Sequence, residues 1–213
     1  MKFCVIGLGR FGYQVAAGLA ENGMEVMAID SNEGIVASIR DRVTQAVCMR
    51  VTDEASLRSV GVDEMDTVIV AMGENFAQSI LITALLKKRL KTHTVITRAI
   101  NEIHKEIVQL VGADEVILPE KEIGIRLADN LSTPYTELVR LTKNYSISQI
   151  TAPESMIGKT LEELHLYQKY QVKCIGVQVD ENIVSTDPQY VIAENDKIIV
   201  AGENKHMEKI TKL

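Results

Sequence analysis

The feature that most constrains the fold is a regular alternation of two patterns over residues 1–118. Short runs rich in Val and Ile recur six times, and amphipathic stretches with helical spacing separate them. Strands that are apolar along their length belong in a parallel sheet whose two faces are covered by helices. The alternation therefore predicts an α/β domain, a Rossmann-like doubly wound parallel sheet. The predicted strands are Phe3–Ile6, Met24–Ile29, Gln45–Cys48, Thr67–Ala71, Thr94–Thr97 and Glu115–Leu118, and the predicted helices cover 11–22, 32–40, 53–60, 75–90 and 101–111.

The pattern changes after residue 118. Residues 119–143 are predicted to form crossover or dimerisation helices, because apolar residues keep a helical spacing from Glu120 to Asn144 and Pro134 is expected to break or kink the helix. Residues 144–213 carry closely spaced short strands and predict a small α+β C-terminal subdomain. Its predicted elements are strands at Tyr145–Ile150, Val172–Val179, Ile183–Ser185 and Lys197–Ala201, and a helix at Lys205–Leu213.

Composition excludes several classes of function. Among 213 residues, 23 Lys and Arg stand against 29 Asp and Glu, and the net charge of −6 argues against a nucleic-acid partner. The chain has no Trp and only 3 Phe, too few for a base-stacking surface. Its apolar runs are too short to cross a bilayer and no signal peptide is visible, so we expect a cytoplasmic protein. Cys4, Cys48 and Cys174 form no CxxC pair and are expected to be reduced and mostly buried.

A glycine-rich turn, GLGRFG at residues 7–12, joins the first predicted strand to the first predicted helix. In such a turn Gly7 permits the sharp bend, Gly9 lets a phosphate approach the backbone, and Gly12 lets the helix pack against the strand. The free amides and the dipole of the helix N-terminus favour an anion there. The turn predicts a nucleotide phosphate site; the alternative is a turn that serves tight packing alone.

Two charged residues refine this prediction. Asp30 ends the second strand, 18 residues after Gly12, where a carboxylate binds both ribose hydroxyls and repels a 2′-phosphate. The alternative role of Asp30 is to cap the next helix. Arg10 lies within the turn, and its guanidinium suits the terminal phosphates of ADP or ATP. The alternative for Arg10 is a solvated residue at the start of the helix.

Further residues follow the other strands at the same predicted edge of the sheet. Thr52 and Asp53 come after the third strand, where adenine normally lies, and the segment from Ala71 to Asn75 follows the fourth. The residues predicted to bind nucleotide are Gly7, Gly9, Arg10, Phe11, Gly12, Asp30, Ser31, Thr52, Asp53, Ala71, Asn75 and Arg98.

Catalytic groups are not evident in the sequence. Hydride transfer needs a second site that positions a substrate and manages a proton. None of the four histidines stands beside an acidic partner, and we expect each to be a surface or hydrogen-bonded residue: His93, His104, His165 and His206. This favours a nucleotide sensor over an enzyme. The alternatives are an NAD(H)-dependent oxidoreductase or redox sensor, and a free-standing dimer whose C-terminal subdomain binds a small ligand other than a nucleotide.

Several segments together resemble the RCK domain (TrkA-N plus TrkA-C) of potassium-transport regulators of the KtrA/TrkA type. The likeness begins with FCVIGLGRFG at residues 3–12 and covers essentially the whole chain. The other segments that carry it are Ala28–Asp30, Thr67–Gly73 with Asn75, Gly112–Asp114, Pro119–Gly124, Ser155–Leu164 and Pro188–Gly202.

The resemblance implies a non-enzymatic gating subunit peripheral to the inner face of the cell membrane. Such proteins form homodimers that assemble into a ring, commonly an octamer, under a membrane potassium-translocating subunit. ATP in the first subdomain favours activity and ADP the inactive shape. By match of motif, Arg10 corresponds to the arginine that senses the terminal phosphate. Glu120 corresponds to a glutamate at the dimer seam that helps hold a divalent cation; its alternative role is an ordinary carboxylate at a helix start.

The chain departs from the family pattern at two places. Met49–Thr52 replaces the common Gly-Asp-Ala-Thr after the third strand, and Arg50 leaves the preference among ADP, ATP and NAD(H) open. Some relatives bind cyclic di-AMP between their C-terminal subdomains through an arginine in the region matching Tyr167–Tyr170. This chain has no arginine there, which argues against that ligand, although Pro188 matches.

Overall fold

The computed structural model describes residues 1–73, 75–132, 137–180, 182–184 and 187–210. The chain divides into two compact units, Met1–Glu120 and Lys121–Leu213. Among the described residues, no helix combines the length and the apolar character that a bilayer crossing requires.

The first unit is a parallel sheet of six strands flanked by helices, as predicted. The strands lie in the order β3-β2-β1-β4-β5-β6, and each neighbouring pair is parallel. The strands are β1 (Lys2–Ile6), β2 (Glu25–Asp30), β3 (Gln45–Cys48), β4 (Thr67–Val70), β5 (Thr94–Arg98) and β6 (Glu115–Ile117), and the helices are α1 (Arg10–Glu21), α2 (Glu33–Ile39), α3 (Glu54–Arg58), α4 (Phe76–Ala84) and α5 (Glu102–Val111).

Both faces of this sheet carry a buried cluster, which explains why its strands are rich in apolar residues. Neighbouring residues of β1 enter different clusters: Cys4 and Ile6 pack on one face, while Val5 packs on the other. Burying each large aliphatic side chain contributes about 1.5–3 kcal/mol. Strand order reverses at β1, which lies between β2 and β4. In doubly wound sheets the crevice at this reversal, beyond the carboxyl ends of the strands, is where ligands bind.

The second unit contains a five-stranded antiparallel sheet in the order β10-β9-β11-β8-β7. This agrees with the predicted small α+β subdomain. Its strands are β7 (Glu137–Arg140), β8 (Tyr145–Thr151), β9 (Lys173–Val179), β10 (Asn182–Val184) and β11 (Lys197–Glu203), and its helices are α6 (Pro119–Ser132), which begins at the end of the first unit, α7 (Leu161–Leu164), α8 (Leu166–Tyr170) and α9 (Asn204–Ile210).

The prediction of helix from Glu120 to Asn144 is correct only as far as Ser132. Residues 137–140 form β7, which pairs antiparallel with β8. Leu138 is buried in the core of the second sheet and Val139 is 47% exposed, the alternation of a strand with one covered face. The amide of Leu138 also donates to Oδ1 of Asn130, at 3.2 Å. The predicted kink at Pro134 lies outside the described residues.

Helix α6 buries no residue within this chain. Its apolar side chains are strongly exposed: Ile123 is 55% exposed, Leu127 57% and Leu131 79%. The role of this helix in dimerisation stays a prediction from the sequence.

The three cysteines differ in their surroundings. Cys4 is fully buried, and burial raises the pKa of its thiol. Cys174 is partly buried, whereas Cys48 is exposed, so the expectation of mostly buried thiols is wrong for Cys48. All three are free cysteines.

Candidate functional site

The glycine-rich turn has the geometry that its sequence predicts. Gly7 has a φ of +93°, which side chains rarely adopt, and its amide donates to the carbonyl of Ile29 at 2.8 Å. A Cβ on Gly12 would overlap the carbonyl oxygen of Gly7 and lie 2.9 Å from Cβ of Ala71. At Gly9 a Cβ would meet no heavy atom within 4 Å. Gly7 and Gly12 are therefore needed by the fold, whereas Gly9 leaves open space at the start of α1.

Asp30 uses one carboxylate oxygen to hold this turn and the other to hold the segment that leads into α2. Oδ2 accepts the amide of Leu8 at 2.6 Å, and Oδ1 accepts the amide of Asn32 at 2.8 Å. Asn32 is the N-cap of α2, so Asp30 fixes both the turn and the approach to the next helix. Each oxygen of a carboxylate keeps a second lone pair that can accept a ribose hydroxyl. The residue that caps α2 is therefore Asn32, whose Oδ1 accepts the amide of Ile35 at 3.2 Å, and not Asp30 as the alternative expected.

A basic residue faces the same edge of the sheet from the end of β5. The guanidinium carbon of Arg98 lies 5.9 Å from the ring centroid of Phe11, the second residue of α1. A Cβ on Gly73 would overlap the guanidinium, so only glycine lets Arg98 lie there. Nη2 of Arg98 donates to Oε1 of Glu120. Arg98, Phe11 and Glu120 are brought together, and Gly73 lies in the Ala71–Asn75 segment that the sequence placed at this edge, although the sequence did not single it out.

The solvent exposure of the Arg98–Glu120 pair is unequal. The side chain of Arg98 is 17% exposed and that of Glu120 is 67% exposed. Nε of Arg98 is buried and has no hydrogen-bond partner among the described residues. The guanidinium thus has unused donor capacity beside the start of α1.

Arg10 begins α1 and is exposed. Its guanidinium has no hydrogen bond or ion pair to any residue in the described part of the chain. Together with the open space at Gly9 and the orphaned Nε of Arg98, the exposed Arg10 gives this edge unused donors and a guanidinium beside the start of α1. These features fit a phosphate-bearing ligand.

The residues expected beside adenine serve first as a helix cap. Oδ1 of Asp53 accepts the amide of Ser56 at 2.8 Å and caps α3. This hydrogen bond lowers the pKa of Asp53. The hydroxyl of Thr52 lies 3.3 Å from Oδ2 of Asp53 and is exposed. Ser31, also exposed, accepts the thiol of Cys48 through its backbone carbonyl, at 3.8 Å.

Asn75 caps α4, since its Oδ1 accepts the amide of Gln78 at 3.0 Å. The side-chain amide of Gln78 then donates to the carbonyl of Val51 at 2.9 Å. Gln78 thereby ties the segment after β4 to the segment after β3. Sequence reasoning missed Gln78, although an amide side chain three residues after an N-cap is a recognisable capping signal.

Glu120 was expected to help hold a divalent cation. Among the residues that the structure describes, no group of three or more His, Cys, Asp or Glu side chains could hold a metal ion. The cation role of Glu120 stays a prediction that needs ligands from elsewhere, such as phosphate oxygens.

His104 departs from the expectation of a surface or fully hydrogen-bonded histidine. It is fully buried on α5, and its ring centroid lies 4.5 Å from that of Phe76. Nδ1 lies 3.4 Å from the amide nitrogen of Ile100, while Nε2 has no partner among the described residues. Burial lowers the pKa of His104.

The second unit has an open cleft of about 560 Å³. Helix α8 contributes Lys169 and Tyr170 to its lining, and Lys159 and Glu163 lie on its other walls. The segment Tyr167–Tyr170, matched to the cyclic di-AMP region of relatives, therefore borders a polar cleft.

With this geometry in place, comparison with known proteins decides the family. The TrkA-N domain matches residues 3–119, and the TrkA-C domain matches residues 147–213. The chain belongs to the TrkA-type RCK family of potassium-transport regulatory subunits. The nucleotide-binding Rossmann-like domain expected of this family is the first unit described above.

Curated relatives of this family align over nearly the whole chain. Ktr system potassium uptake protein C of Bacillus subtilis (strain 168) is 36% identical over 99% of this chain and 96% of its own length. Ktr system potassium uptake protein A of Vibrio alginolyticus is 32% identical over 100% of this chain and 97% of its own.

The GsuK channel is a solved structure with a similar fold. In a form bound to NAD, it aligns with 99% of this chain and 38% of its own, at 22% identity and a TM-score of 0.56. A form bound to ADP aligns with 61% of this chain and 33% of its own, at 25% identity and a TM-score of 0.53. This chain thus spans well under half of the GsuK chain.

Proposed function

We propose that this protein is a cytoplasmic gating subunit that binds ADP or ATP in its first unit and changes the conformation of a ring under a membrane potassium-translocating subunit. The family membership supports a regulatory role in potassium transport.

One observation carries the nucleotide assignment: the Asp30 carboxylate holds the glycine-rich turn whose Gly9 opens onto free space at the start of α1. Ribose recognition and phosphate recognition need these two features side by side. Bound ADP in a GsuK structure supports the same class of ligand. NAD(H) shares the adenosine and phosphate groups, so it is the competing ligand.

Arg10 and Arg98 are proposed to bind the distal phosphates. Both carry permanent positive charge at the edge where the phosphates would lie, and a guanidinium can donate two parallel hydrogen bonds to a phosphate. Glu120 would then face a divalent cation that bridges phosphate oxygens at a homodimer seam. Such a site places several charges at one boundary, where a change from ATP to ADP alters many contacts.

Calorimetric titration of the purified full chain with ATP, ADP, NADH and AMP tests the ligand assignment. We expect ADP and ATP to bind with Kd values below about 100 μM, or at least about 5.5 kcal/mol of binding free energy. Absence of binding by all four nucleotides would refute the proposed function. Tight NADH binding with turnover of a carbonyl compound would instead support the oxidoreductase alternative.

Substitution of Arg10 tests phosphate sensing separately. Arg10→Ala should lower the affinity for ATP by at least about tenfold, equivalent to 1.4 kcal/mol. It should change the affinity for AMP much less. An equal loss for both nucleotides would show that Arg10 does not contact the distal phosphates. Light scattering with ADP and with ATP tests assembly, and a mass that stays at one dimer under all conditions would contradict the ring.

A further inference from the structure

We propose that the Arg98–Glu120 ion pair is an exchangeable contact, in which nucleotide phosphate displaces the Glu120 carboxylate from Arg98 and thereby frees Glu120 for a cation. The inference rests on the proposed nucleotide function and adds a regulatory step to it. Arg98 would be the residue that couples the presence of phosphate to the availability of Glu120.

The surroundings of Arg98 suit it to remain in place during such an exchange. Its side chain is mostly covered, with the Phe11 ring on one side and the Gly73 backbone in close approach. The absence of a side chain at Gly73 is what allows this placement. The guanidinium is therefore positioned by the fold rather than by Glu120 alone, and it can exchange one anion for another without a large movement.

Glu120 is the mobile member of the pair because its side chain is 67% exposed. It lies in the first turn of α6, directly after Pro119. The positive end of that helix dipole continues to stabilise the carboxylate after Arg98 is lost. Because Glu120 is open to solvent, the pair should contribute about 0–1 kcal/mol, as surface ion pairs do, which a multiply charged phosphate can exceed.

The charge balance gives the exchange its direction. Without a ligand, Glu120 neutralises Arg98 beside the N-terminus of α1. When a phosphate takes the guanidinium, the Glu120 carboxylate is left beside a second anion. A divalent cation relieves this repulsion, so cation binding and nucleotide binding should reinforce one another through this pair.

Nucleotide affinity measured without divalent cations tests the exchange directly. In EDTA no cation is present, and Glu120 only competes with phosphate for Arg98. Glu120→Gln should therefore raise the affinity for ADP by about fivefold, or 1 kcal/mol. Adenosine has no phosphate, so its affinity should stay within about twofold. The matched control is Glu106→Gln at an exposed position of α5. It removes an equal charge at a site other than the Arg98 ion pair, and the affinity for ADP should stay within about twofold.

A double-mutant cycle separates exchange from simple charge repulsion. In an Arg98→Gln background, Glu120→Gln should change ADP affinity by less than about twofold, because no guanidinium remains to be released. Arg98→Lys, which keeps the charge, provides a second background if Arg98→Gln does not fold, and there the tightening should persist in part. Excess Mg²⁺ should abolish the advantage of Glu120→Gln, since Glu120 then faces a cation.

The outcomes distinguish this inference from the function on which it rests. If the unmodified chain binds no nucleotide, the proposed function fails and the exchange fails with it. If the chain binds ADP but Glu120→Gln in EDTA does not tighten it, the exchange alone is refuted. Equal tightening with and without the Arg98→Gln substitution would also refute it, because repulsion would then explain the whole effect.

Discussion

The backbone amide of Leu8 donates to Oδ2 of Asp30 across 2.6 Å. The residue expected to recognise ribose therefore also fixes the turn expected to hold phosphate. A change at Asp30 should consequently affect ligand binding and the local fold together.

Replacing the Asp30 carboxylate by an amide tests this double role. Asp30→Asn keeps the shape but loses the charge and one acceptor, and a hydrogen bond to a charged group contributes about 1.5–3 kcal/mol. We expect ADP affinity to fall by about tenfold to a hundredfold and the thermal midpoint to fall as well, measured by calorimetry and circular dichroism. Asp41→Asn, at an exposed position beyond α2, is the control. An unchanged ADP affinity in Asp30→Asn would contradict the assignment.

Gly9 should matter for the ligand and not for the fold. Its backbone is in an extended conformation open to other residues, with φ −61° and ψ −177°, and a Cβ would meet open space. Gly9→Ala should therefore leave the urea midpoint unchanged or slightly higher. ADP affinity should fall by at least about tenfold, since the new methyl group would occupy the path of the phosphate. Full retention of ADP binding would show that phosphate does not approach Gly9.

Gly12, in contrast to Gly9, should matter for the stability of the fold. Its Cβ would overlap the Gly7 carbonyl, so Gly12→Ala should destabilise the protein by about 1–3 kcal/mol, the usual cost of an overpacked site. The matched control is Gly18→Ala in the same helix, where the Cβ meets nothing within 4 Å. That change should stabilise the protein by about 0.5–1 kcal/mol, because alanine favours a helix interior. Urea denaturation of both variants measures the difference, and equal effects would contradict the packing described.

His104 should make stability depend on pH. Burial lowers its folded pKa below the ordinary 6.5, so the unfolded chain takes up a proton at a higher pH than the folded chain does. The neutral, buried His104 therefore contributes fully to the free energy of unfolding above pH 6.5. This contribution is lost as the pH falls toward the pKa of His104 in the folded chain. His104→Asn, whose Oδ1 can replace Nδ1 as an acceptor, should reduce the slope of unfolding free energy against pH below 6.5. Exposed His93→Asn should retain that slope, and an unchanged slope in His104→Asn would contradict the buried, neutral imidazole.

Thiol labelling should separate the exposed and buried cysteines. Cys48 is exposed at the end of β3, whereas burial raises the pKa of the Cys4 thiol. In the native protein we expect Cys48 to react with a maleimide much faster than Cys4, and Cys4 to react on unfolding. Mass spectrometry of the labelled peptides measures both rates. Because Cys48 donates to the carbonyl of Ser31, next to Asp30, bound ADP should slow its labelling.

The first unit was largely predictable because its signal is local. Strands buried on both faces are largely apolar, as in β4 (Thr67–Val70), where three of the four residues are Val or Ile. The predicted and observed strand bounds of this unit differ by at most one residue. The glycine-rich turn and Asp30 could be predicted equally well. Gly7 and Gly12 are required by the bend and by helix packing, and an acidic residue at the end of β2 has a known position relative to such a turn.

The remaining features depend on residues far apart in sequence. Leu138 and Leu141 have a spacing that suits a helix, but Leu138 is buried because β7 pairs with β8. Arg98 and Glu120 were each assigned to the site, yet their contact arises only where the end of β5 meets the start of α6. The exposure of Cys48 likewise reflects β3, an edge strand of the first sheet, and no local pattern reveals an edge.

Strand β7 also determines where the chain can be divided. The TrkA-C match begins at residue 147, but a fragment starting there would lose all of β7 and the first two residues of β8. The remaining edge of β8 would then present unpaired amides and carbonyls to solvent, a surface that recruits other strands and promotes aggregation. An isolated C-terminal fragment intended to stay monodisperse should therefore begin no later than Glu137.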